Sequence, residues 1–522
     1  MRKILIFSLA YFPLIGGAEV AIREIAKRNP EFEFDLLTAK FKKELPRQEK
    51  IDNINVYRLG LGNYFDKYLY FWLAFLKAGE FNRQRKYNLI WAMMANYAGL
   101  SALLFKRAHP EIKYLLTLQE GDSEVFLRRR TWFWQPIYKK IYTEADHIQV
   151  ISNYLAKRAQ KMGVKCPIDL VPNGVDFENF AKDFSEEELK ELKASLKIKD
   201  NEKVIITVSR LVEKNGVDDL IRAIKELKLK RDNLPVKLLI IGDGKDKDEL
   251  TELTRRLDLK NEVLFLGQID HWALPRCLKI ADVFVRPSLS EGLGNVFLEA
   301  MAAGLPIIGT PVGGIPDFLT DYETGLFCEI RNPESIAEKI LELIDKPELA
   351  QTLTKNGQKL VLEKYDWDKV AGQMKEIFLN EIYKANKSLI GRLLVLTYSK
   401  IRFIKYCVVG TIAAAVDFSF LYVLTEFVGI YYLISSLFSF IFSASTNFTL
   451  NKYWTFKNQS KAVTAQFTTF LFIVIIGLGF NLILMYILTE KLGLWYMLSK
   501  AITIALGLFW NYTGNKHFTF RT

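Results

Sequence analysis

Four apolar runs, near 403–426, 431–450, 467–489 and 494–514, constrain this chain more than any other feature. Each has about the twenty residues a helix needs to cross the hydrocarbon layer of a bilayer. Inside that layer a backbone satisfies its polar groups only as a helix or a closed barrel. Four such runs within residues 401–522, with few interior charges, read as an all-α four-helix membrane domain rather than as buried soluble helices.

This segment also repeats internally at an offset of 64 residues. LYVLTE at 421–426 matches MYILTE at 485–490, Asn447 matches Asn511, and NKYWTF at 451–456 matches NKHFTF at 515–520. Each unit crosses twice, so both copies have the same orientation. Lys400, Arg402 and Lys405 precede the first span, Lys452, Lys457 and Lys461 lie between the second and third, and Lys516 and Arg521 follow the fourth. The excess of cations on one side places both termini and everything before residue 400 in the cytoplasm, with the chain a multi-pass protein of the cell membrane.

Within the spans Asp417 is the sharpest residue, because an intramembrane carboxylate is costly and a functional role is its default explanation. Its repeat partner is Asn481. Lys500, near the outer start of the fourth span, either pairs with Asp417 or snorkels to the interface. Asn447 and Asn511 either cross-link helices through their amides or serve as packing glue.

The first 380 residues have another rhythm. Strand candidates at 3–10, 34–39, 88–93, 113–118, 147–152 and 167–174 alternate with helical stretches, including 18–28. The segment 182–196 is charged and becomes helical from Ser185, with Glu188 at the capping-box spacing. The rhythm then restarts at 204–210, 236–244, 263–267, 282–288 and 306–311. Such alternation builds parallel sheets with helices on both faces, and two in succession form a cleft at the carboxyl ends of their strands. The short apolar run after Met1 reads as a buried first strand, since it passes into Gly16-Gly17 and a helix; a signal peptide is the alternative.

Net charge is +12, split evenly between residues 1–400 and the much shorter 401–522. Concentrated around apolar spans, that charge points to anionic lipid headgroups. No compact basic recognition segment points to nucleic acid. The four cysteines and four histidines are scattered, with neither a disulfide framework nor a metal-ligand spacing. No strand–GxGxxG–helix fingerprint with its downstream acid supports a dinucleotide-dependent enzyme.

The most informative stretch is EGLGNVFLEAMAAGLPIIGTPVGG, 291–314. Glu291 and Glu299 are eight apart, Gly292 and Gly294 compact the backbone between them, and 296–303 reads as a helix whose N-terminus can present N–H groups to a phosphate. Glu299, near that helix start, either grips hydroxyls or serves as a capping charge. This stretch, with SRLVEKNGVDDLI at 209–221 and PLIGGAE at 13–19, resembles the GT4 family of retaining glycosyltransferases. The resemblance covers roughly residues 1–380.

The resemblance implies an α/β GT-B fold: an N-terminal Rossmann-like lobe over 1–180 on the acceptor side, completed by a helix at about 365–382 containing Trp367, and a C-terminal lobe over 181–364 on the nucleotide-sugar side. A linker at 383–400 would lead to the membrane domain. It implies a nucleotide diphosphate sugar as substrate, no cofactor and no metal. Glu291 would face the transferred sugar and Glu299 the nucleotide ribose, with the helix start at Leu293, Gly294, Asn295 and Val296 beneath the sugar and distal phosphate. Arg210 and Lys214 would pair with the pyrophosphate, where a cation offsets charge growing on the leaving group. Gly16 and Gly17 would let the backbone approach closely.

Two departures stand out. Relatives carry Lys just before the Gly where this chain has Asn215, so Lys214, one residue earlier, either reaches the phosphates or is a solvated first-turn charge. In LLTLQEGD at 115–122, Gln119 replaces a His, and Gln does no acid–base work near neutral pH. In this family the departing phosphate is thought to assist deprotonation of the acceptor. Gln119, Glu120 and Asp122 are acceptor-side candidates, whereas Asn173 and Gly174 in VPNGVD read as structural and Arg286 is assigned no role.

Residues 401–522 resemble the GtrA-like family of four-helix membrane proteins, associated with polyprenyl-linked sugars and proposed to help move them. The expected acceptor is therefore a polyprenyl-phosphate-linked glycan or another glycolipid, with membrane lipids as partners and a membrane oligomer as an open option. A translocating membrane domain fed by the enzyme is the alternative.

Overall fold

A computed structural model of the chain describes residues 2–270, 272–430, 432–456, 463–492 and 510–520, with positions 494, 502 and 506. It divides into two compact units, Met1–Asn386 and Lys387–Thr522.

The first unit contains two sheets. Strands Arg2–Phe7 (β1), Phe32–Ala39 (β2), Gln48–Ile51 (β3), Ile54–Leu59 (β4), Leu89–Met93 (β5), Lys113–Leu118 (β6), His147–Val150 (β7) and Ile168–Leu170 (β8) form one, in the order β3-β4-β2-β1-β5-β6-β7-β8. Only β3–β4 is antiparallel. Lys203–Val208 (β9), Val236–Ile241 (β10), Val263–Gly267 (β11), Val283–Arg286 (β12), Ile307–Gly309 (β13) and Leu326–Phe327 (β14) form the second, wholly parallel, in the order β11-β10-β9-β12-β13-β14. Both are Rossmann-like. The order reverses beside β1 in one lobe and beside β9 in the other, and the crevices at those reversals are where such sheets bind ligands.

The central strands are apolar because both faces are covered by helices. Ile4, Leu5, Ile6 and Phe7 are completely buried, as are Ile205 and Ile206. Each such side chain contributes about 1.5–3 kcal/mol when removed from water. The strand pattern extends past the sheet at several carboxyl ends: 3–10 stops pairing at Phe7 and 282–288 at Arg286. Apolar residues beyond those points line crevices and loops instead of continuing the ladder. The β3–β4 hairpin and the two-residue β14 were not anticipated. β3 alternates exposed and half-buried residues at an edge, and β14 is too short to carry a period.

Helix Glu186–Ser195 begins with the expected capping box, the Glu188 amide donating to Ser185 Oγ at 3.2 Å and the Ser185 amide to Glu188 Oε2 at 2.8 Å. A helix assigned from Trp367 to Tyr422 starts against the first lobe, and the stretch 383–400 lies within it. Trp367, Val370, Met374, Phe378 and Ile382 pack into the core formed by Ile4, Phe34 and Trp91. Glu381, from this helix, faces Nδ1 of the buried His147 at 3.1 Å. Gly174 is glycine for a packing reason: a Cβ there would stand 2.6 Å from the Trp367 indole.

The second unit is helical. Among its described residues Lys405–Phe427 is the one helix long and apolar enough to cross a membrane. The internal repeat is visible in the backbone. Val423–Phe427 and Ile487–Lys491 are π-helical turns, and so are Asn451–Thr455 and Asn515–Thr519, each pair 64 residues apart. The phenylalanines that follow the second pair, Phe456 and Phe520, stack with ring centroids 5.0 Å apart in a small aromatic core with Tyr406, Phe448 and Phe470. Asn515 Nδ2 donates to Tyr406 Oη at 3.1 Å, and Asn451 Nδ2 to Asn447 Oδ1 at 2.6 Å.

Candidate active site

A cavity of about 900 Å³ lies where the carboxyl ends of the two sheets face each other. Loops after β1, β6, β9 and β12 supply much of its wall. It is lined by Gly16, Gly17, Gln119, Arg210, Lys214, Glu291, Leu293, Gly294, Asn295 and Val296. Ten positions scattered from 16 to 296 in the sequence are thus brought together by the strand order.

Glu291 occupies a tight turn. Gly313 takes φ +58°, and a Cβ on it would come within 1.8 Å of the Glu291 carbonyl oxygen. Gly294, at φ +97°, precedes the helix Asn295–Ala302. The Glu291 carboxylate, largely buried, forms an ion pair with Arg286 at 2.8 Å (Nη2 to Oε2). Arg286 Nη2 also donates to Asn215 Oδ1 at 2.9 Å, and Asn215 Nδ2 donates to the Arg210 carbonyl at 2.6 Å. The chain's Asn215 is therefore a buried strut joining the β9 loop to β12. Arg286 was missed because a lone Arg at the end of an apolar strand carries no motif.

Arg210 is exposed in the cavity and has no side-chain hydrogen bond or ion pair among the described residues. Lys214 is engaged: its ammonium forms an ion pair with Asp122 of the other lobe at 2.8 Å and donates to the Gly121 carbonyl at 3.3 Å. Ser290 Oγ donates to the same carbonyl at 2.9 Å. Gln119 Nε2 donates to Asn173 Oδ1 at 3.0 Å, while Asn173 Nδ2 donates to Gln119 Oε1 at 3.1 Å and to Asn295 Oδ1 at 3.4 Å. A chain of amides thus crosses the cleft to the first residue of the helix.

Three candidates stand apart from the cavity wall: Glu120, Glu299 and Asp122, the last held by Lys214. Glu120 turns inward and accepts from the Ala95 amide and, at 3.2 Å, from the Gln119 amide; burial raises its carboxyl above the ordinary value. Glu299 sits half-buried on the helix, one turn beyond the lining residues. Glu19, the last residue of the PLIGGAE stretch and assigned no role from the sequence, lines the cavity. Burial raises its carboxyl, opposed by its own and Gly16's amides and by the charge of Arg210. No group of His, Cys, Asp or Glu among the described residues is arranged to hold a metal ion.

In the second unit Asp417 is half-buried, and its Oδ1 has no hydrogen-bond partner among the described residues; Asn511 Oδ1 is likewise unpartnered. Lys500 lies outside the described residues.

Comparison with known proteins identifies related families. Residues 15–179 match the model of Glycosyltransferase Family 4, 189–387 that of Glycosyl transferases group 1, and 405–520 that of the GtrA/DPMS transmembrane domain. The chain is 28% identical over 407 residues to an uncharacterized glycosyltransferase of Methanocaldococcus jannaschii, covering 75% of this chain and 100% of that one. It is 31% identical over 251 residues to a GDP-mannose-dependent monoacylated alpha-(1-6)-phosphatidylinositol monomannoside mannosyltransferase of Corynebacterium glutamicum, covering 47% of this chain and 64% of that one. Sucrose-phosphate synthase from Thermosynechococcus elongatus shares the fold, with TM-score 0.63 and 22% identity over 73% of this chain and 99% of that one. The chain is a GT4-like glycosyltransferase joined to a GtrA-like multi-pass transmembrane domain, and so a membrane-associated enzyme.

Proposed function

We propose that the enzyme transfers a sugar, with retention at the anomeric carbon, from a nucleotide diphosphate sugar to a polyprenyl-phosphate-linked glycan or another membrane glycolipid. The observation that carries this reading is the juxtaposition of Glu291, the start of helix Asn295–Ala302 and the unpaired Arg210 in one cavity. Amides at the helix start receive the distal phosphate, and Arg210 offsets charge on the departing diphosphate. Lys214 joins it by exchanging Asp122 for phosphate. Glu291, held by Arg286, faces the sugar, and Glu299 holds the ribose. As the bond from the anomeric carbon to the diphosphate breaks, the acceptor hydroxyl bonds to the same face and its proton passes to the departing phosphate. Gly16 and Gly17 close over the donor, with Gln119 and Asp122 on the acceptor side. Enclosure between the lobes excludes the water that would hydrolyse the donor.

A lipid acceptor is supported by the fused membrane domain and by the lipid substrate in the name of the Corynebacterium relative. The membrane domain is read as four spans with both termini in the cytoplasm. Turnover of a nucleotide-sugar panel by full-length protein, with a polyprenyl-linked acceptor extract, tests the reading. Chelator-insensitive transfer of one sugar, lost in Glu291→Ala, supports it; no transfer by folded protein from any donor overturns it.

A second reading, translocation of the lipid-linked sugar by the membrane domain, is favoured by the unpartnered Oδ1 of Asp417. Asp417→Asn separates the two. Transfer that survives in detergent while translocation in vesicles stops gives the membrane domain its own activity; survival of both leaves an anchor.

A further inference from the structure

The N-terminal lobe carries apolar surface that its fold does not use. Helix Asp66–Arg85 is apolar on two sides. Tyr70, Ala74, Ala78 and Phe81 pack against the lobe's core, while Tyr68, Leu69, Trp72 and Leu76 form a second stripe at helical spacing that faces outward. A second outward group lies at 125–137. There Leu127 and Thr131 anchor the helix Glu124–Thr131 from below, and Phe126, Trp132 and Phe133 stand exposed, the last two by 75% and 71%. The two groups flank one element: helix Tyr97–Ala108 packs against both Asp66–Arg85 and Gln135–Thr143. The surface approaches the cavity mouth, since the Phe41 ring lies 6.3 Å from that of Tyr64 and the next residue, Lys42, lines the cavity.

Charge selects the occupant. Residues 124–140 hold five basic side chains, Arg128, Arg129, Arg130, Lys139 and Lys140, against the single acid Glu124, and all six are exposed. In a symmetric contact between two copies the same cations would face one another. Tryptophan and tyrosine sit at the headgroup level of bilayers, and an apolar stripe flanked by cations lies in the plane of an anionic interface. The same chain carries a membrane-length helix, so a bilayer is at hand.

We propose that the outward faces of residues 64–76 and 125–137 dock on an anionic lipid surface, presenting the cavity mouth to acceptors held in that surface. This docking is separate from the anchoring provided by the membrane domain and independent of which sugar is transferred.

The test uses full-length protein in phosphatidylcholine nanodiscs containing either a diazirine-bearing phosphatidylglycerol or a diazirine-bearing phosphatidylcholine, with adducts mapped by mass spectrometry. Adducts on peptides covering 64–76 and 125–137, richer with phosphatidylglycerol, are expected. In the combined Arg128→Glu, Arg129→Glu, Arg130→Glu variant their yield should fall more than about tenfold, each cation near such a surface contributing about fivefold. Labelling of the membrane domain and donor hydrolysis should stay unchanged, which also shows that the variant is folded. Adducts confined to 387–522 overturn the proposal. So does equal labelling by both lipids that survives charge reversal. A detergent-solubilised dimer broken by Trp132→Ser also overturns it, because the face would then be a contact between copies.

Discussion

Arg286 and Glu291 face each other across 2.8 Å at the base of the cavity, both largely screened from solvent. Removing one partner of such a pair leaves a buried charge uncompensated, at a cost of about 3–5 kcal/mol. Arg286→Ala is expected to lower the thermal midpoint markedly and to reduce turnover through a misplaced Glu291. Adding Glu291→Gln should recover stability without restoring turnover. Thermal unfolding of the two variants checks this, and an unchanged midpoint in Arg286→Ala would show that the pair does not hold the loop.

Asp122 holds Lys214 in an ion pair at 2.8 Å. If Lys214 serves the diphosphate, that pair must break when the donor binds. Asp122→Asn should then lower the donor KM a few-fold while Lys214→Ala raises it about tenfold or more, a charged hydrogen bond being worth about 1.5–3 kcal/mol. Steady-state kinetics at fixed acceptor separates the cases: no change in Lys214→Ala would mark that lysine as a contact between lobes only.

Gly313 sits at φ +58° with the Glu291 carbonyl where its Cβ would be. Gly313→Ala cannot be accommodated unless the Glu291 turn moves. A loss of at least about 1–2 kcal/mol is expected from the left-handed backbone alone, together with loss of transfer. Denaturant unfolding and transfer assays measure both, and full activity in the variant would refute the close approach.

Burial raises the Glu19 carboxyl from its ordinary value of 4.5. The folded state therefore holds the proton more tightly than the unfolded chain. Its contribution is fully present below about pH 4.5 and is lost as pH rises through the folded value. Glu19→Gln should accordingly be more stable than the parent at neutral pH, the difference shrinking towards pH 4.5. Unfolding free energies over that range give the answer, and a pH-independent difference would place the effect in packing.

Much of the fold was legible because its information is local. Two βα rhythms, the helix start at Ser185 and the 64-residue repeat are patterns of neighbouring residues, and the backbone of the described residues follows them down to paired π-helical turns. Glu291, Arg210 and the helix start were visible because a glycine-bounded turn before a helix has a sequence form. Edge strand β3 and two-residue β14 were not, since neither is long enough or buried enough to impose a period.

By itself the sequence determined most of the elements and which residue types stand at their ends, because period and capping act over a few residues. Which of those ends meet was decided by tertiary structure alone. Strand order and lobe apposition set Lys214 on Asp122 and Asn173 on Gln119, and turned Glu120 inward towards the Ala95 amide. Each pairing spans a distance along the chain that no local pattern encodes, and depends on where two independently folded loops come to rest.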